Sequence, residues 1–214
     1  MYTTDDDILN TNLLDNMREG AEMLISHIAA NDKILIQVDS DCDGYGSAAL
    51  LINYLHCLFP AFVENNVSYR IHEGKEHGII LNTVPDDVSL VIAPDGSSND
   101  YEVHKQLKEK NIDVLVLDHH EAERVSECAC VINNQLCDYP NKTLSGAGIV
   151  YKFCCYLDEL MGTEHAENFL DLTALCLIAD MVDLKHFETR HLITLGLNQI
   201  RNPYFYAMIK KNEY

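Results

Sequence analysis

Positive charge is scarce in this 214-residue chain, which carries 15 Lys and Arg residues against 34 Asp and Glu residues. The formal net charge is therefore -19, and the sequence contains no basic run. A protein that grips duplex nucleic acid by its phosphates needs a basic face, so binding of that kind is disfavoured. Three alternatives stay open: a small substrate, a strand end held with bound cations, or a basic surface on a partner protein or a further domain.

The chain also lacks an apolar stretch of membrane-spanning length, a signal peptide, and any C-x-x-C pair or zinc-type spacing of cysteines. These absences argue against membrane association, and the eight scattered cysteines favour reduced thiols in a cytoplasmic protein. Hydrophobic residues make up 47% of the sequence, which suffices for the core of one large domain or two small ones.

An acidic loop follows the first predicted strand. In the segment "VDSDCDGYGSAALL" (38–51), three aspartates alternate with other residues: Asp39, Asp41 and Asp43. The pattern D-x-D-x-D-G opens an EF-hand calcium loop, which needs a bidentate Glu at its twelfth position, but that position is Leu50. The preceding "KILIQV" is typical of a buried strand, and apolar residues at helical spacing follow Gly44. A calcium loop is therefore disfavoured.

Strand and helix patterns alternate along most of the chain. Strands are predicted at 33–38, 66–72, 89–95, 113–120 and 129–133. Helices are predicted at 5–29 with a break near Glu19-Gly20, after Gly44, at 100–110, and from Leu144 onward at 145–161, 164–182 and 189–201. Strands rich in Val, Ile and Leu on both faces predict an α/β fold, with a Rossmann-like parallel sheet flanked by helices and a helical C-terminal part.

Three predicted strands end in acidic or imidazole groups, at Asp39-Asp41-Asp43, at Asp95 and at Asp118-His119-His120. The carboxyl ends of parallel strands share one edge of the sheet, so these groups should converge. Asp180 lies in the apolar segment "ALCLIADMVDL", where it is either a metal-bound or paired carboxylate or a helix-end residue near solvent. Such a set suits two divalent cations about 3.5 to 4 Å apart, of the Mn²⁺ or Mg²⁺ kind.

Four motifs carry a resemblance to a known family. The segment "LDHHEAE" resembles the defining motif of the DHH phosphoesterase superfamily, and "VDSDCDGYGSAAL", "VIAPDGSSND" and "CLIADMVDL" are similar to the other motifs of its RecJ-like branch. The matches follow the family's order over residues 33 to 200. The resemblance implies an N-terminal helical segment at 1–30 and a DHH domain at 31–214.

The resemblance also implies roles for individual residues. One cation is expected on Asp41 and Asp95, with Asp95 bridging, and the second on Asp43, His119 and Asp180. His120 is expected to face the scissile phosphate as a catalytic residue, together with Asp39 and Asp118. Gln37 stands where pyrophosphatase-like and oligonucleotidase-like members carry a metal-binding His, which favours the RecJ-like branch and leaves the first cation with fewer ligands.

Two further segments are candidates for substrate binding. Ser145, Gly146, Ala147 and Gly148 open a predicted helix, whose free N–H groups either cradle a substrate phosphate or form a simple N-cap. Arg190 resembles an arginine of the segment after the last motif, and it is either a DNA contact or a solvated helix charge.

The implied function is that of a metal-dependent exonuclease, which hydrolyses single-stranded DNA to nucleotides by in-line attack of a metal-activated hydroxide. The alternatives are a phosphodiesterase for short oligonucleotides or cyclic dinucleotides and a non-catalytic scaffold in replication or repair. The scaffold is disfavoured because the expected ligands are all present. Most active members of the family continue into a second, substrate-binding domain, so this chain is expected to be the catalytic domain alone or a minimal version, working with such a domain or a partner protein.

Overall fold

The computed structural model describes residues 3–212 and contains a five-stranded sheet in the order β2-β1-β3-β4-β5, in which every neighbouring pair is parallel. The strands are β1 (Lys33–Val38), β2 (Val67–Ile71), β3 (Val88–Pro94), β4 (Asp113–Asp118) and β5 (Cys130–Asn133). The predicted parallel sheet is confirmed. The strand order reverses direction between β1 and β3, which is the place where open α/β sheets bind their ligands.

Eight α-helices flank this sheet within the described residues: α1 (Met17–Ala30), α2 (Cys42–Leu58), α3 (Pro60–Asn66), α4 (Tyr101–Glu109), α5 (Gly146–Met161), α6 (Leu170–Ala179), α7 (Phe187–Asn198) and α8 (Pro203–Asn212). The helical C-terminal part is therefore confirmed. No helix in the described part of the chain is long and apolar enough to cross a membrane. None of the eight cysteines, all of them described, forms a disulfide.

The two faces of the sheet bury separate apolar cores, because successive side chains of a strand point to opposite faces. Ile34 and Ile36 of β1 lie in the larger core, beneath the helices α1, α2 and α5. Leu35 of β1 and Val91 of β3 lie in the smaller core, with Leu107 of α4. The strand β2 lies at one edge of the sheet and is half-exposed.

The N-terminal region differs from the helix expected over residues 5–29. Two short 3₁₀ turns, Asp5–Asp7 and Thr11–Leu13, precede α1, and Asn16 in the left-handed conformation separates them from it. The backbone N–H of Leu9 donates to Glu188 and its carbonyl accepts from Lys152, so this segment forms tertiary hydrogen bonds instead of helical ones.

The break expected near Glu19-Gly20 is also wrong, because α1 runs through it. A Cβ on Gly20 would lie 3.0 Å from side-chain atoms of both Leu115 and Ile132, so this glycine permits close contact between α1 and the sheet. Met17, Ala21 and Leu24 of α1 belong to the same core as the sheet. The boundary between residues 1–30 and 31–214 stays a prediction.

Other corrections concern helix ends. The helix α3, with Pro60 at its first position, and α8 were not predicted. The helix expected at 164–182 is a 3₁₀ turn, Ala166–Phe169, followed by α6. The helix expected at 189–201 ends at Asn198, and the side chain of Asp171 then accepts the backbone N–H groups of Arg201 and Asn202.

A buried ion pair joins the parts of the chain that flank the larger core. The Lys152 and Glu188 side chains are 1% and 0% exposed, and Lys152 Nζ lies 3.0 Å from Glu188 Oε1. Glu188 also accepts hydrogen bonds from the backbone of Leu9, from Tyr139 and from Asn141. The carboxylate thereby connects the N-terminal segment, α5, α7 and the loop that precedes α5.

We expect Glu188→Ala to lower the free energy of unfolding by roughly 3 to 5 kcal/mol, because it leaves the ammonium group of Lys152 buried without its counter-charge. Urea unfolding followed by circular dichroism measures this change. Arg18→Ala, which removes an exposed ion pair with Glu22, is the matched control and should leave the stability nearly unchanged. Equal stability of the two variants would contradict the role assigned to Glu188.

Candidate metal centre

The acidic residues that follow β1, β3 and β4 meet at the carboxyl edge of the sheet, as the strand pattern predicts. Asp43 lies in the first turn of α2, Asp95 directly follows β3, and His119 directly follows β4. Asp43 and Asp95 are almost fully buried, whereas the His119 side chain is partly open to solvent. Two carboxylates and an imidazole are thus placed together by three separate elements.

Asp43 is held by the N-terminus of α5. Its carboxylate accepts hydrogen bonds from the backbone N–H of Gly146 at 2.6 Å and of Ala147 at 3.1 Å. A helix N-terminus stabilises negative charge because its N–H groups are unpaired and its dipole points favourably. Burial of Asp43 is therefore compensated by α5.

This arrangement differs from the phosphate cradle expected at residues 145–148. Ser145 is the N-cap of α5, and its Oγ accepts from the backbone N–H of Gly148. The N–H groups of Gly146 and Ala147 donate to Asp43. The three amides are occupied, so the segment binds an aspartate of its own chain in this structure, and the N-cap alternative is the one observed.

Asp95 is the carboxylate whose charge is compensated least. Its backbone is left-handed, with φ of 65°, a conformation that is uncommon for a residue other than glycine. Its Oδ1 is buried and makes no hydrogen bond of good geometry in the described part of the chain, although His119 Nε2 lies 3.2 Å away. Burial, and then the charges of Asp43 and Asp41, raise the pKa of Asp95 to about 10. A buried carboxylate oxygen without a hydrogen bond favours a site that binds a positive group.

Gly146 leaves room for the side chain of Asp95 beside the N-terminus of α5. A Cβ on Gly146 would lie 2.5 Å from Cβ and from Oδ1 of Asp95, a distance that real side chains do not show. The role of this glycine is therefore to let α5 approach both buried carboxylates, which the sequence did not reveal.

His119 connects the carboxylates. Its Nε2 lies 3.2 Å from Asp95 Oδ1 and 3.7 Å from Asp43 Oδ2, and its Nδ1 lies 3.9 Å from Asp180 Oδ2. Asp180 is the C-cap of α6 and its side chain is 32% exposed, so it is a helix-end residue near solvent. Its carboxylate nevertheless faces the site. Ligand atoms of Asp43, His119 and Asp180 lie within 4.8 Å of one another, as do those of Asp95, His119 and His120.

The expectation that Asp41 shares a cation with Asp95 stays a prediction, and the charge of Asp41 is among those that raise the pKa of Asp95. Asp41 is the N-cap of α2, and its Oδ1 accepts from the backbone N–H of Gly44 at 2.8 Å. His120 belongs to the group of potential ligands around Asp95. The grouping of Asp43, His119 and Asp180 agrees with the second expected set.

Asp118 acts on His120 and on the backbone that carries it. The Asp118 side chain is buried and accepts hydrogen bonds from the backbone N–H groups of Ser98, His119 and His120 and from His120 Nδ1 at 2.8 Å. Burial alone would raise the pKa of Asp118, but the hydrogen bonds from His120 and Ser98 outweigh burial and lower it. Asp118 thus orients His120 in this structure, and the catalytic role expected from sequence stays a prediction.

His120 presents its other nitrogen to the outside. Its side chain is 57% exposed, and because Nδ1 is bound to Asp118, Nε2 is the atom that can meet a ligand. The hydrogen bond with Asp118 raises the pKa of His120. Asn133 Nδ2 donates to the carbonyl of His120 and to Ser98 Oγ, so it links the loops after β3 and β4, a role that sequence reasoning missed.

Asp39 has two histidine partners that the sequence reasoning also missed. His72 Nδ1 lies 3.4 Å from one carboxylate oxygen and His77 Nδ1 lies 3.3 Å from the other. Burial raises the pKa of Asp39, but hydrogen bonds from His77, Ser40 and His72 outweigh burial and lower it. The signal in the sequence is "HEGKEHG" after β2, two histidines in a glycine-containing loop.

A cavity of about 460 Å³ opens at this edge of the sheet, between the loops after β1, β3 and β4. Asp39, His77, Gly96, Ser98 and His120 are among the residues that line it. Nε2 of His120 and the acidic groups therefore face a space that can admit part of a substrate.

Arg190 is not part of this cluster of side chains. Its guanidinium carbon lies 4.5 Å from the centre of the Phe187 ring, and its Nε is buried without a partner in the described part of the chain. The DNA contact expected of Arg190 stays a prediction.

The donor set fits a divalent cation. Carboxylate oxygens and imidazole nitrogens are the ligands that Mn²⁺ and related cations take in proteins. The orphaned Asp95 Oδ1 lies among them, and a cation beside it would remove the repulsion from Asp43 and Asp41 that raises its pKa.

The model of the DHH family, N-terminal domain, matches residues 33–177 of this chain. This match spans β1 to α6, which carry all of the acidic and imidazole groups described above except Asp180. The chain therefore belongs to the DHH family.

Curated relatives and solved structures agree with this membership. The chain is 45% identical to a Bacillus subtilis protein named as an SPbeta prophage-derived single-strand DNA-specific exonuclease, YorK, over 97% of this chain and 36% of that protein. It is 31% identical to the single-stranded-DNA-specific exonuclease RecJ of Bacillus subtilis, over 94% of this chain and 25% of that protein. The crystal structure of exonuclease RecJ bound to manganese matches with a TM-score of 0.79 and 25% identity, over 90% of this chain and 50% of that chain. The chain thus spans about a third of the length of the curated relatives it matches.

We expect Gly146→Ala to weaken Mn²⁺ binding roughly 10- to 100-fold, because the added methyl group must displace Asp95. Isothermal titration calorimetry with Mn²⁺ measures this change. Gly96→Ala is the matched control, since its Cβ would meet no atom within 4 Å. Equal Mn²⁺ affinity in the two variants, both folded by circular dichroism, would show that the contact between Gly146 and Asp95 does not matter.

Proposed function

We propose that this protein is a metal-dependent phosphodiesterase that hydrolyses single-stranded DNA to nucleotides from a strand end. One observation carries the proposal: ligand atoms of Asp43, His119 and Asp180 lie within 4.8 Å of one another, as do those of Asp95, His119 and His120, around a buried oxygen of Asp95. Such a cluster is costly to fold and has no structural partner, which favours a functional role over a structural one. The relatives named as single-strand DNA-specific exonucleases support the choice of substrate.

Two divalent cations would be held here, with Mn²⁺ favoured over Mg²⁺. Asp43, His119 and Asp180 would hold one, and Asp95 and His119 would hold the other, with Asp41 beside them. When bound, divalent cations supply a water activated for attack and neutralise charge on the phosphoryl group. The RecJ crystal structure bound to manganese supports this choice of ion.

His120 would act on the scissile phosphate. Nδ1 of His120 donates its proton to Asp118, and the hydrogen bond raises the pKa of His120, which favours the imidazolium form in which Nε2 also carries a proton toward the cavity. A proton held at that atom neutralises negative charge that develops on the phosphoryl oxygens during in-line attack. Asp39, held by His72 and His77, lines the same cavity and keeps its negative charge next to the cation site.

The net charge of -19 supports a second candidate function. Hydrolysis of short oligonucleotides or cyclic dinucleotides needs fewer contacts with phosphates than binding of a long strand does. A further substrate-binding domain or a partner protein would supply a basic surface for long strands. A non-catalytic scaffold is disfavoured because Asp43, Asp95 and His119 keep their mutual geometry. The cytoplasmic location stays a prediction.

Hydrolysis of 5′-labelled single-stranded DNA in the presence of Mn²⁺ tests the proposal. We expect release of nucleotides by the wild type and a loss of at least about 100-fold in the double variant Asp95→Ala, His119→Ala, since both groups would hold the cations. Glu22→Ala, which removes an exposed carboxylate far along α1, is the control and should keep full activity. A dinucleotide assayed in parallel separates the two candidate substrates.

Faster cleavage of the dinucleotide than of the long strand would favour the second candidate function. If neither substrate is cleaved above the level of the double variant, this chain alone is not the enzyme proposed.

We expect His120→Ala to lower the rate of hydrolysis roughly 100- to 10,000-fold, the usual range for removal of a positioned proton donor, with unchanged affinity for Mn²⁺. Single-turnover hydrolysis and calorimetric titration with Mn²⁺ measure the two quantities separately. A parallel loss of Mn²⁺ affinity would instead make His120 a metal ligand, which its place beside Asp95 and His119 also allows.

A further inference from the structure

An uncharged groove lies beside the metal centre, between α2 and the face of β1 and β2. Its volume is about 310 Å³, and its lining includes Tyr45, Ile52 and Asn53 from α2 and Tyr69 and Ile71 from β2. None of the described residues that line it is charged. A groove without charged side chains, next to so acidic an edge of the sheet, favours a ligand that is itself uncharged.

Residues that line the groove are close in sequence to residues of the metal centre. Val38 lines the groove and directly precedes Asp39. Tyr45 follows Asp41 by four residues, which is about one helical turn or 6 Å along α2. A ligand in the groove therefore lies within about one nucleotide of groups that would handle a phosphate.

The walls of the groove offer exposed rings. Tyr45 is 45% exposed and Tyr69 is 63% exposed, beside an Ile71 that is 40% exposed. Tyr69 and Ile71 are two residues apart on one strand, so their side chains share the face toward α2. Exposed tyrosines at one site provide flat apolar surface at little cost in side-chain entropy.

We propose that this groove binds a base of single-stranded nucleic acid whose backbone passes the metal centre, an inference that rests on the proposed function. A phosphate would need cationic groups and a metal ion would need carboxylates, and the lining described above has neither. A base has an uncharged π-face that stacks on tyrosine. A peptide strand would pair with the free edge of β2, whereas the groove lies on its face.

Asn53 gives the groove one polar group. Its Nδ2 donates to the backbone carbonyl of Ala49 at 2.7 Å, which fixes the side-chain amide and leaves Oδ1 as an acceptor. An exocyclic amine of a base can donate to such an oxygen, while stacking itself accepts every base. The groove thus supplies affinity that an acidic protein cannot gain from phosphates.

Binding of a short thymidine strand that carries one 2-aminopurine tests the groove without hydrolysis, with Ca²⁺ in place of Mn²⁺. The fluorescence of 2-aminopurine falls when the base stacks on tyrosine. We expect this quenching with the wild type and its loss in Tyr45→Ala, Tyr69→Ala, with affinity lower by roughly 5- to 100-fold for each ring removed.

Three controls accompany this measurement. Tyr45→Phe, Tyr69→Phe keeps the rings and should bind like the wild type. Tyr204→Ala removes a tyrosine that is 68% exposed on α8, outside the groove, and should have no effect. A strand of the same length in which every residue is abasic should bind the wild type and the double alanine variant equally.

Unchanged affinity and quenching in Tyr45→Ala, Tyr69→Ala would overturn the groove as a base site even if the wild type hydrolyses DNA. Quenching that depends on both rings, without any hydrolysis in Mn²⁺, would support the groove and overturn the proposed reaction. If the wild type binds no single strand, both proposals are overturned.

Discussion

Repulsion among the carboxylates at the carboxyl edge of the sheet is the constraint on which the arrangement of this protein depends. Buried charges of one sign cannot coexist at close range unless each is compensated, since Coulomb energies grow as the dielectric constant falls. The structure compensates Asp43 with the amides of α5, and Asp118 with His120 and three backbone N–H groups. Asp39 receives two histidines. Among the described carboxylates at this edge, Asp95 keeps a buried oxygen without a hydrogen bond, and a cation there would compensate its charge.

The helix α5 links this compensation to the stability of the whole domain. Its N-terminus holds Asp43, and its middle carries Lys152, whose partner Glu188 lies on α7. Asn141 donates to the same carboxylate and accepts the backbone N–H of Thr143, so the loop that leads into α5 is fixed from the other side. The amides that reach Asp43 are thus placed by a buried network that does not itself touch the site.

Sequence patterns predicted the parts of this structure that follow from local rules. Val-, Ile- and Leu-rich strands require a parallel sheet with covered faces, and parallel strands bring their carboxyl ends together, so the convergence of Asp43, Asp95 and His119 was predictable. The parts that were missed depend on tertiary contacts. The apolar spacing around Leu9 resembles a helix, but its backbone bonds to Lys152 and Glu188, and no sequence period encodes that.

The hydrogen bonds made by the site residues show the same limit. Asp41 and the amides after Ser145 carry ordinary capping signals, and they act as caps or as partners of Asp43. Motif spacing identifies which residues belong to a site, but the hydrogen bonds that each one makes decide whether it binds a ligand or orients a neighbour. Asp118 is the example, since its position in the motif suggested catalysis and its contacts make it the support of His120.

The surplus of negative charge then limits how this site can meet a nucleic acid. Surface charges more than about 10 Å apart are screened at ordinary salt, so the general acidity of the chain weakens encounter but does not forbid it. The buried carboxylates are screened far less, and they exclude a phosphate until cations neutralise them. On the proposed function, binding would therefore be concentrated at one or two phosphates beside the cations, with any further affinity drawn from uncharged contacts. A strand end with an exposed base satisfies both conditions, whereas a duplex held along its backbone satisfies neither.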